Sequence, residues 1–593
     1  MILVFGGTTE GRKAVEVLEE AGTRYYYSTR SDGQLIELVN GIRLTGTMDV
    51  PTMMAFCHDH DIRLLVDAAH PFAEELHANL LQLAHHAGVP LVRYDRIYPP
   101  RTGNIVWCRD YQDAVSQLEA QGVSRLLALT GVNTISKLRD FWERHECWFR
   151  ILNRSVSHSV ARRSGFPDDH LVYYEEDDTS ALIEQLRPQA VLTKESGLSG
   201  GFCEKVEAAA KAGVRVFAVE RPAYPPCVPD GQSVRIELVD GPHGLRRAVE
   251  HLLPAFYPLH SGLTTGTCAT AAAVAAALRL LKGVMPSEVP VILPDGETIR
   301  VAVGYADGYA YCKKESGDDP DVTDGLEVRA SVEVADDFKM LGGEGVGTFT
   351  LPGFDYAPGE PAINKSPRRM VRQNLLAQTG SSGFAVTISV PHGAEVARRT
   401  FNPRLGIEGG ISIIGVSGIV KPFSEKAFTD SIRKCIEVAK ASGSDRLVLN
   451  SGAKSERFLR SLYPELPGQA FVQYGNYIGE ALSMADELRF GQITLGVMLG
   501  KAVKLAEGQM DTHSKKGTMN LNYVGQMLSM AGCTVDLSGI TLARELWDKI
   551  PPSQVNDFVR VVIGRCLEHC RPLAPHARLT LLLIADDGTV HSL

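Results

Sequence analysis

The sequence lacks the features that mark several special classes of protein. It has no lysine- and arginine-rich run, and its 593 residues carry a formal net charge of -9, which argues against a nucleic-acid-binding surface. The most apolar stretch, Ala269–Leu281, is too short and too rich in alanine to span a bilayer. No charged leader precedes the first strand, Met1–Phe5. We therefore predict a cytoplasmic protein that contacts neither nucleic acid nor membrane.

Metal sites and disulfides are also not indicated. The 11 cysteines are scattered, and no two pairs have zinc-ribbon spacing. The closest set is Cys566-Leu-Glu-His-Cys570, and buried free thiols are the commoner explanation of such a set. Cys268 has no companion His–Asn or His–Asp pair nearby, so it is not predicted to be a nucleophile. We expect no protein-bound metal and a reducing compartment.

What the sequence does contain is two long regions of different character. Residues 1 to about 250 alternate short apolar runs with helical patterns, which implies βαβ units. A Pro- and Arg-rich break near 95–109 divides this region into lobes of about 1–105 and 106–250. From 259 to 593 the pattern changes and no internal repeat appears. The predicted fold class is α/β, with two Rossmann-like lobes of mainly parallel sheets followed by a separate α/β (α+β) domain with mixed sheets.

The first strand leads directly into the turn Gly6-Gly-Thr-Thr-Glu-Gly11-Arg12 and then a helix. Backbone N–H groups and the helix dipole at such a turn favour a pyrophosphate. The spacing departs from G-x-G-x-x-G because Thr8 replaces the second glycine. The hydroxyls of Thr8 and Thr9 would then donate to phosphate instead. Taken alone, the motif is equally a plain βα turn with an N-cap threonine.

Three further strand ends carry candidate binding residues. Ser28 and Arg30 end the second strand, where hydroxyls and an arginine favour the 2′-phosphate of NADPH over NADH; a solvated turn is the alternative. His70 follows a buried strand and either orients the cofactor, donates a proton, or is only structural. Lys194 and Ser196 follow another strand and would clamp an anionic group of the substrate, unless Lys194 is a surface residue.

Four segments in this region share one order and spacing with a known family. Ile2–Arg12, Asp67–Ala73, Leu192–Gly201 and Ala218–Pro222 together resemble the precorrin-6A reductase family. The resemblance implies two Rossmann-like lobes that hold a nicotinamide cofactor and a tetrapyrrole. It implies hydride delivery to a double bond of the macrocycle. Cofactor contacts are implied at Gly6, Gly7, Thr8, Thr9 and Arg12, and the turn adds Gly11. No residue is identified as a firm proton donor, and a reductase of this kind can act by positioning alone, with the hydride supplied by the cofactor.

The second region opens with hydroxyl groups at a helix start. Thr264, Thr265 and Thr267 precede an alanine-rich helix and would bind a carboxylate of the substrate; simple helix capping is the alternative. His513, in the later segment Asp511-Thr-His-Ser-Lys515, either contacts a substrate carboxylate or caps a helix.

An ordered series of glycine-rich polar segments follows. These segments resemble the cobalt-precorrin-5B C1-methyltransferase family from about Leu259 nearly to Leu593; among them are Glu315–Thr323, Gly342–Gly347, Pro361–Asn364, Thr400–Gly406, Glu408–Ser412, Gly415–Gly418 and Gly475–Asn476. The resemblance implies an S-adenosylmethionine donor and methylation of ring carbon 1. Glycine-rich strand ends would admit the adenosyl group, and a carboxylate would hold either its ribose hydroxyls or the sulfonium side. The candidate residues are Glu344, Gly409, Gly410, Gly415 and Ser417.

The predicted protein is therefore a bifunctional enzyme of corrin-ring biosynthesis. It would methylate cobalt-precorrin-5B and then reduce the resulting 6A intermediate to 6B with NAD(P)H. A fused nucleotide-sugar or short-chain reductase is disfavoured, because no Tyr-x-x-x-Lys pair stands in a suitable place. The remaining alternative is a non-catalytic tetrapyrrole carrier with a vestigial nucleotide fold. The sequence does not determine the oligomeric state.

Overall fold

The structure, a computed structural model, describes residues 1–174, 178–224, 234–513 and 519–593. Ser514 and Lys515 of the predicted substrate segment lie outside the described residues. The chain divides into two compact units, the first made of Met1–His260 and Pro290–Arg300 and the second of Ser261–Val289 and Val301–Leu593. No helix among the described residues is long and apolar enough to cross a membrane.

The first unit alternates strands and helices. Its strands are β1 (Ile2–Phe5), β2 (Tyr25–Thr29), β3 (Gly41–Thr45), β4 (Leu64–Asp67), β5 (Leu91–Tyr94), β6 (Ile105–Cys108), β7 (Arg125–Ala128), β8 (Glu146–Ile151), β9 (Leu171–Tyr173), β10 (Ala190–Lys194), β11 (Arg215–Val219) and β12 (Ile236–Val239). Its helices are α1 (Thr9–Glu19), α2 (Val50–Asp59), α3 (Glu74–Ala87), α4 (Tyr111–Ala120), α5 (Arg139–Trp142), α6 (Ser155–Arg163), α7 (Thr179–Leu186), α8 (Phe202–Lys211) and α9 (Pro242–Leu252).

These strands form two six-stranded sheets. The first has the order β12-β5-β4-β1-β2-β3 and the second the order β6-β11-β10-β7-β8-β9, and every pairing in both is parallel. The central strands β1 and β4 are buried throughout, which explains why they read as continuous apolar runs. The predicted pair of Rossmann-like lobes with mainly parallel sheets is confirmed.

The chain returns to the first sheet after completing the second. Strand β12 pairs with β5, and α9 packs against α1. The predicted lobe boundaries of 1–105 and 106–250 assign β12 and α9 to the second lobe instead. The alternation of strands and helices in the sequence predicts that a strand exists. It does not predict which sheet the strand joins, because pairing partners are distant along the chain.

Glu297 caps the N-terminus of α9 from a distant part of the chain. The side chain is 1% exposed, and its two carboxylate oxygens accept hydrogen bonds from the backbone N–H groups of His243 (3.0 Å) and Gly244. In return, the Thr298 N–H donates to Asp240 Oδ1 at 2.7 Å. Burial raises the pKa of Glu297 to about 7, even though both N–H donors oppose the shift.

His243, Asp295 and Glu297 form the one group of His, Cys, Asp or Glu side chains in the described residues whose ligand atoms lie close enough together for a metal ion. Both oxygens of Glu297 already accept N–H groups at the positive end of a helix dipole. That end repels a cation, so the arrangement is that of a helix cap.

Replacing Glu297 with Gln is expected to flatten the pH dependence of the first unit's stability. A carboxyl group whose pKa rises from 4.5 to about 7 on folding favours the folded state fully below pH 4.5, and this contribution is lost as the pH rises through 7. The loss is about 3 kcal/mol at most. Thermal unfolding between pH 4.5 and 8 measures it. Exposed Glu184 of the same unit, changed to Gln, is the matched control; equal pH profiles for both variants would contradict this role of Glu297.

The remaining strands and helices follow from Gly262. The strands are β13 (Gly262–Leu263), β14 (Glu288–Ile292), β15 (Thr298–Ala302), β16 (Gly304–Ala306), β17 (Tyr309–Lys313), β18 (Glu327–Val334), β19 (Lys339–Gly342), β20 (Thr348–Phe349), β21 (Phe384–Ser389), β22 (Ile407–Glu408), β23 (Ile419–Val420), β24 (Arg446–Asn450), β25 (Phe471–Gln473), β26 (Gln492–Met498), β27 (Arg578–Ile584) and β28 (Val590–His591). The helices are α10 (Thr265–Lys282), α11 (Lys365–Thr379), α12 (Gly393–Ala397), α13 (Glu425–Ala441), α14 (Ala453–Leu462), α15 (Ile478–Glu487), α16 (Leu499–Ala506), α17 (Leu521–Met530), α18 (Glu545–Lys549) and α19 (Val555–Cys570).

Two five-stranded sheets organise the second unit. One has the order β16-β17-β18-β21-β19 and is antiparallel except for the β19–β21 pair; α10 packs on β17 and β18. The other has the order β25-β24-β26-β27-β28 and is parallel except at β28. Helix α10 is buried from Thr265 to Leu278, which its alanine content permits, since small side chains allow close packing. The predicted mixed sheets are confirmed.

Candidate functional site

The Gly6–Arg12 turn connects β1 to α1, as the sequence predicts. Thr8 is the N-cap of α1: its hydroxyl accepts the Gly11 N–H at 3.1 Å and donates to the Ala68 carbonyl at 2.7 Å. The Gly7 N–H donates to the Tyr27 hydroxyl at 3.0 Å. A side chain at Gly6 would overlap the ring of Tyr27. The missing second glycine thus has a structural reason, because Thr8 closes the turn itself.

The predicted cofactor residues of the second strand lie beside this turn. Ser28 is buried at the end of β2 in register with Phe5, and its carbonyl accepts the Gly6 N–H at 2.9 Å. Arg30 is exposed one residue beyond the strand, and Arg12 is exposed on α1. Two cations therefore flank a helix N-terminus, which suits a phosphate-bearing ligand.

Asp67, at the carboxyl end of β4, is the centre of a buried polar network. One of its oxygens accepts from Arg93 Nη1 at 3.0 Å, and the other accepts from His77 Nδ1 at 2.6 Å and from the Tyr224 hydroxyl at 3.0 Å. Burial alone would raise the pKa of Asp67, but the hydrogen bond from His77 and the charge of Arg93 lower it. Sequence reasoning named the segment but missed these three partners; an aspartate that ends a buried apolar strand was the available signal.

His70 lies in the loop after β4. Its Nδ1 accepts the Phe72 N–H at 3.2 Å, so the neutral ring carries its proton on Nε2. Burial, reinforced by the charges of Arg96 and Lys194, lowers the pKa of His70 to about 3. His70 is therefore a neutral hydrogen-bond donor at physiological pH.

A buried ion pair joins the loops at the carboxyl edges of the two sheets. Arg96 Nε donates to Glu10 Oε2 at 2.9 Å, and the Ser199 hydroxyl donates to the other oxygen of Glu10. Arg96 Nη1 also donates to the Ser196 carbonyl at 2.7 Å. The Ser196 hydroxyl, predicted to bind substrate, donates to the Gly200 carbonyl at 3.1 Å. Glu10 follows the first strand and Ser196–Gly200 follow β10, so the structure unites predicted cofactor and substrate segments.

In the second unit, the threonines predicted to bind substrate bond to the segment predicted to bind cofactor. Thr265 Oγ1 accepts the Ile414 N–H at 2.9 Å, and Thr267 Oγ1 donates to the Gly418 carbonyl at 2.6 Å. Thr264 is the N-cap of α10 and lies so close to Gly415 that a side chain at Gly415 would overlap it. The three hydroxyls thus tie α10 to the glycine-rich segment.

The other residues predicted to bind the methyl donor lie along this glycine-rich segment or next to it. The Ile411 N–H donates to the Gly345 carbonyl at 2.9 Å, and a side chain at Gly410 would overlap Gly345. Glu344 is exposed next to that contact, and a side chain at Gly409 would meet no atom within 4 Å. The Ser417 hydroxyl donates to the Ile419 carbonyl at 2.9 Å. The structure therefore brings Glu344 and Gly409–Ser417 together, and Gly409 leaves open space.

His513 lies at the carboxyl edge of the second unit's parallel sheet. Its N–H donates to Asp511 Oδ1 at 3.0 Å, and neighbouring Thr512 donates its N–H to the Asn476 carbonyl at 3.0 Å. Lys501 Nζ donates to Asn476 Oδ1 at 2.9 Å. The hydrogen bond donated by the His513 N–H and those made by the Thr265 and Thr267 hydroxyls involve different segments of the chain.

An open depression of about 430 Å³ beside α14 was not predicted from the sequence. It is lined by Arg404, Ala453, Glu456, Arg457, Arg460 and Ser461. Buried Glu456 accepts from Arg404 at 2.6 Å and from Arg460 at 2.9 Å. Three arginines against one carboxylate leave a positive surface. The arginines at 457 and 460 lie on one helix and the third lies about fifty residues earlier in the chain, so no local motif signals it.

Both regions of the chain match known families. Residues 1–238 match the family model described as Precorrin-6x reductase CbiJ/CobK, and residues 255–422 match the model described as CbiD. A relative from Prosthecochloris aestuarii, named cobalt-precorrin-5B C(1)-methyltransferase, is 43% identical over 352 residues that cover 56% of this chain and 95% of the relative. A protein of the same name from Thermus thermophilus is 42% identical over 278 residues, 46% of this chain and 75% of that protein.

Two solved structures are similar to parts of the chain. A cobalamin biosynthesis protein (cbiD) from Archaeoglobus fulgidus is 31% identical, covers 44% of this chain and 83% of its own, and has a TM-score of 0.26. A structure described as CobK precorrin-6A reductase is 20% identical, covers 42% of this chain and 96% of its own, and has a TM-score of 0.35.

Proposed function

The chain belongs to the cobalt-precorrin-5B C(1)-methyltransferase family, and a precorrin-6x reductase CbiJ/CobK domain precedes its methyltransferase region. We therefore propose that one polypeptide catalyses two steps of corrin-ring biosynthesis. The second region transfers a methyl group from S-adenosylmethionine to ring carbon 1 of cobalt-precorrin-5B. The first region reduces the 6A product to 6B with NADPH. The observation that carries the proposal is the presence of both families in one chain.

The reductase half would hold its dinucleotide at the turn between β1 and α1. Arg12 and Arg30, both exposed beside the helix N-terminus, would neutralise the phosphates, and Arg30 with Ser28 favours NADPH. Neutral His70 would donate its Nε2–H to a carbonyl of the cofactor or substrate. The bound cofactor supplies the hydride, and the protein aligns the cofactor with the ring double bond.

The methyltransferase half would hold its donor along Glu408–Gly418. At Gly409 an added side chain would meet no atom within 4 Å, so the adenosyl group has room to approach the backbone there. Exposed Glu344 would bind the ribose hydroxyls. The substrate carries many acetate and propionate groups, for which the depression at Arg404, Arg457 and Arg460 offers cations. We also propose that the substrate contacts backbone groups of Thr264, Thr265 and Thr267 and the imidazole of His513. A sulfonium methyl is already electrophilic, so no covalent enzyme intermediate is required.

Fusion of the two halves has a simple physical benefit. The methylated product is released near the enzyme that consumes it, which raises its effective concentration. Both reactions need only soluble cofactors and a soluble tetrapyrrole, and we place the protein in the cytoplasm. Neither half requires nucleic acid or a resident metal; cobalt enters within the substrate ring.

Omitting one cofactor at a time tests the proposal. The full chain is incubated with cobalt-precorrin-5B, S-adenosylmethionine and NADPH, and the corrinoid mass is followed. We expect a gain of one methyl group when NADPH is left out, and a further gain of two hydrogens when it is present. No change should occur without S-adenosylmethionine, because the reductase then lacks its substrate. Tight binding of the corrinoid with an unchanged mass in every mixture would instead favour a non-catalytic carrier.

A further inference from the structure

Lys194 lies where the carboxyl edges of the first unit's two sheets approach each other. It is the last residue of β10, and its ammonium Nζ lies 5.4 Å from the centre of the Phe72 ring. Phe72 belongs to the loop after β4, in the other sheet, and its ring centre is 5.8 Å from that of His70. Lys194 from one sheet and the loop that carries His70 and Phe72 from the other sheet therefore lie close together.

The ammonium of Lys194 has no acidic partner within the described part of the chain. The charged group that acts most on it is another cation, Lys137, and the ammonium of Lys205 lies close enough to interact with it as well. Lys205 is compensated, because its Nζ donates to the Gly200 carbonyl at 2.9 Å. A partly buried ammonium with cationic neighbours and no acceptor is costly to keep charged, so folding alone does not explain it.

The neighbouring groups differ in their ability to give up a proton. Burial, together with the charge of Lys137, lowers the pKa of Lys194 to about 8. At neutral pH the lysine is mostly protonated and releases its proton readily. His70 is neutral there, so it would have to become an imidazolate to act as an acid. Arg96, which also faces His70, is paired with Glu10 and stays charged.

We propose that Lys194 is the general acid of the reductase half, a role that rests on the function proposed above. Hydride from the dihydronicotinamide adds to one carbon of a ring double bond, and NADPH becomes NADP⁺. The electron pair of that double bond takes a proton from Lys194 Nζ at the adjacent atom. The neutral amine then regains a proton from solvent. The sum is one hydride and one proton added to the ring, which accounts for two hydrogens.

The Lys194→Arg variant separates this role from simple anion binding. Arginine keeps the charge but cannot release its proton, so we expect corrinoid affinity within about threefold of wild type and a reduction rate at least about 100-fold lower. Single-turnover NADPH oxidation with the 6A substrate is the measurement. In the wild-type chain the rate should fall as the pH rises through about 8, and this alkaline limb should vanish in the variant. An unchanged rate and limb would overturn the proposal.

Two more variants guard against a purely structural effect. Lys137→Met removes the repelling charge, so the alkaline limb should move to higher pH while the reaction continues; an unmoved limb would contradict the assignment. Lys194→Met should be inactive yet melt at or above the wild-type temperature at pH 7. A lysine pKa lowered from 10.5 to about 8 costs stability as the pH falls between these values, and the full cost is present at pH 7. A lower melting temperature would identify Lys194 as a stabilising residue instead. A wild-type chain that never oxidises NADPH would refute the proposed function itself.

Discussion

Replacing Asp67 with Asn is expected to destabilise the first unit by about 3–5 kcal/mol, because it leaves Arg93 buried without its main counter-charge. Arg93 is 2% exposed, and its other carboxylate partner, Asp95, lies at 3.3 Å and is partly exposed to solvent. Asn also offers one acceptor oxygen where Asp67 uses two, so His77 or Tyr224 loses a partner. Denaturant unfolding measures the change.

The pH dependence of that loss gives the prediction a second test. The pKa of Asp67 is lowered on folding, since His77 and Arg93 outweigh the effect of burial. Its contribution is therefore present above its unfolded pKa, about 3.9, and is lost as the pH falls toward the folded value. The gap between wild type and variant should narrow in acid. Asp61→Asn, at an exposed pair with Arg63, is the matched control and should cost about 0–1 kcal/mol. Equal losses of unfolding free energy at Asp67 and Asp61 would show that the buried network around Asp67 does not stabilise the first unit more than an exposed ion pair does.

Replacing Gly6 with Val is expected to abolish NADPH-dependent reduction while methyl transfer continues. The added side chain would overlap the Tyr27 ring, whose hydroxyl receives the Gly7 N–H, so the turn must open. Displacing the helix N-terminus from the phosphates should weaken NADPH binding by at least about 100-fold, or about 3 kcal/mol. Calorimetry with NADPH and the mass gain of one methyl group report on the two halves separately.

Gly103→Ala provides the control for that substitution. Gly103 belongs to the same unit, and a side chain there would meet no atom within 4 Å. Both activities should survive in this variant. If Gly6→Val remained folded and bound NADPH as tightly as wild type, the dinucleotide would have to sit elsewhere. Loss of methyl transfer as well would indicate that the variant disturbs the whole chain.

Part of the candidate site in the first unit was predictable from local sequence pattern. The strand–turn–helix at Gly6–Arg12 follows from apolar residues that end at glycine and a capping threonine, and these are neighbours in the chain. Candidate residues at the ends of β4 and β10 were predictable because ligands bind at the carboxyl ends of the strands in open parallel sheets. What the hydroxyls do there was not predictable, since Thr8 and Ser196 bond to carbonyls of the fold itself.

The alternation of strands and helices, the glycine turn and the order of the two families could all be read from the amino-acid sequence, because each depends on residues within a few positions of one another. The three-dimensional fold was needed to show that β12 returns to the first sheet, that Arg96 neutralises Glu10, that the threonines of α10 bind the glycine-rich segment, and that Lys194 has no acidic partner among the described residues. Each of these facts is a contact, or a missing contact, between residues tens to hundreds of positions apart. Such pairings are fixed by the packing of the whole unit, and no local periodicity encodes them.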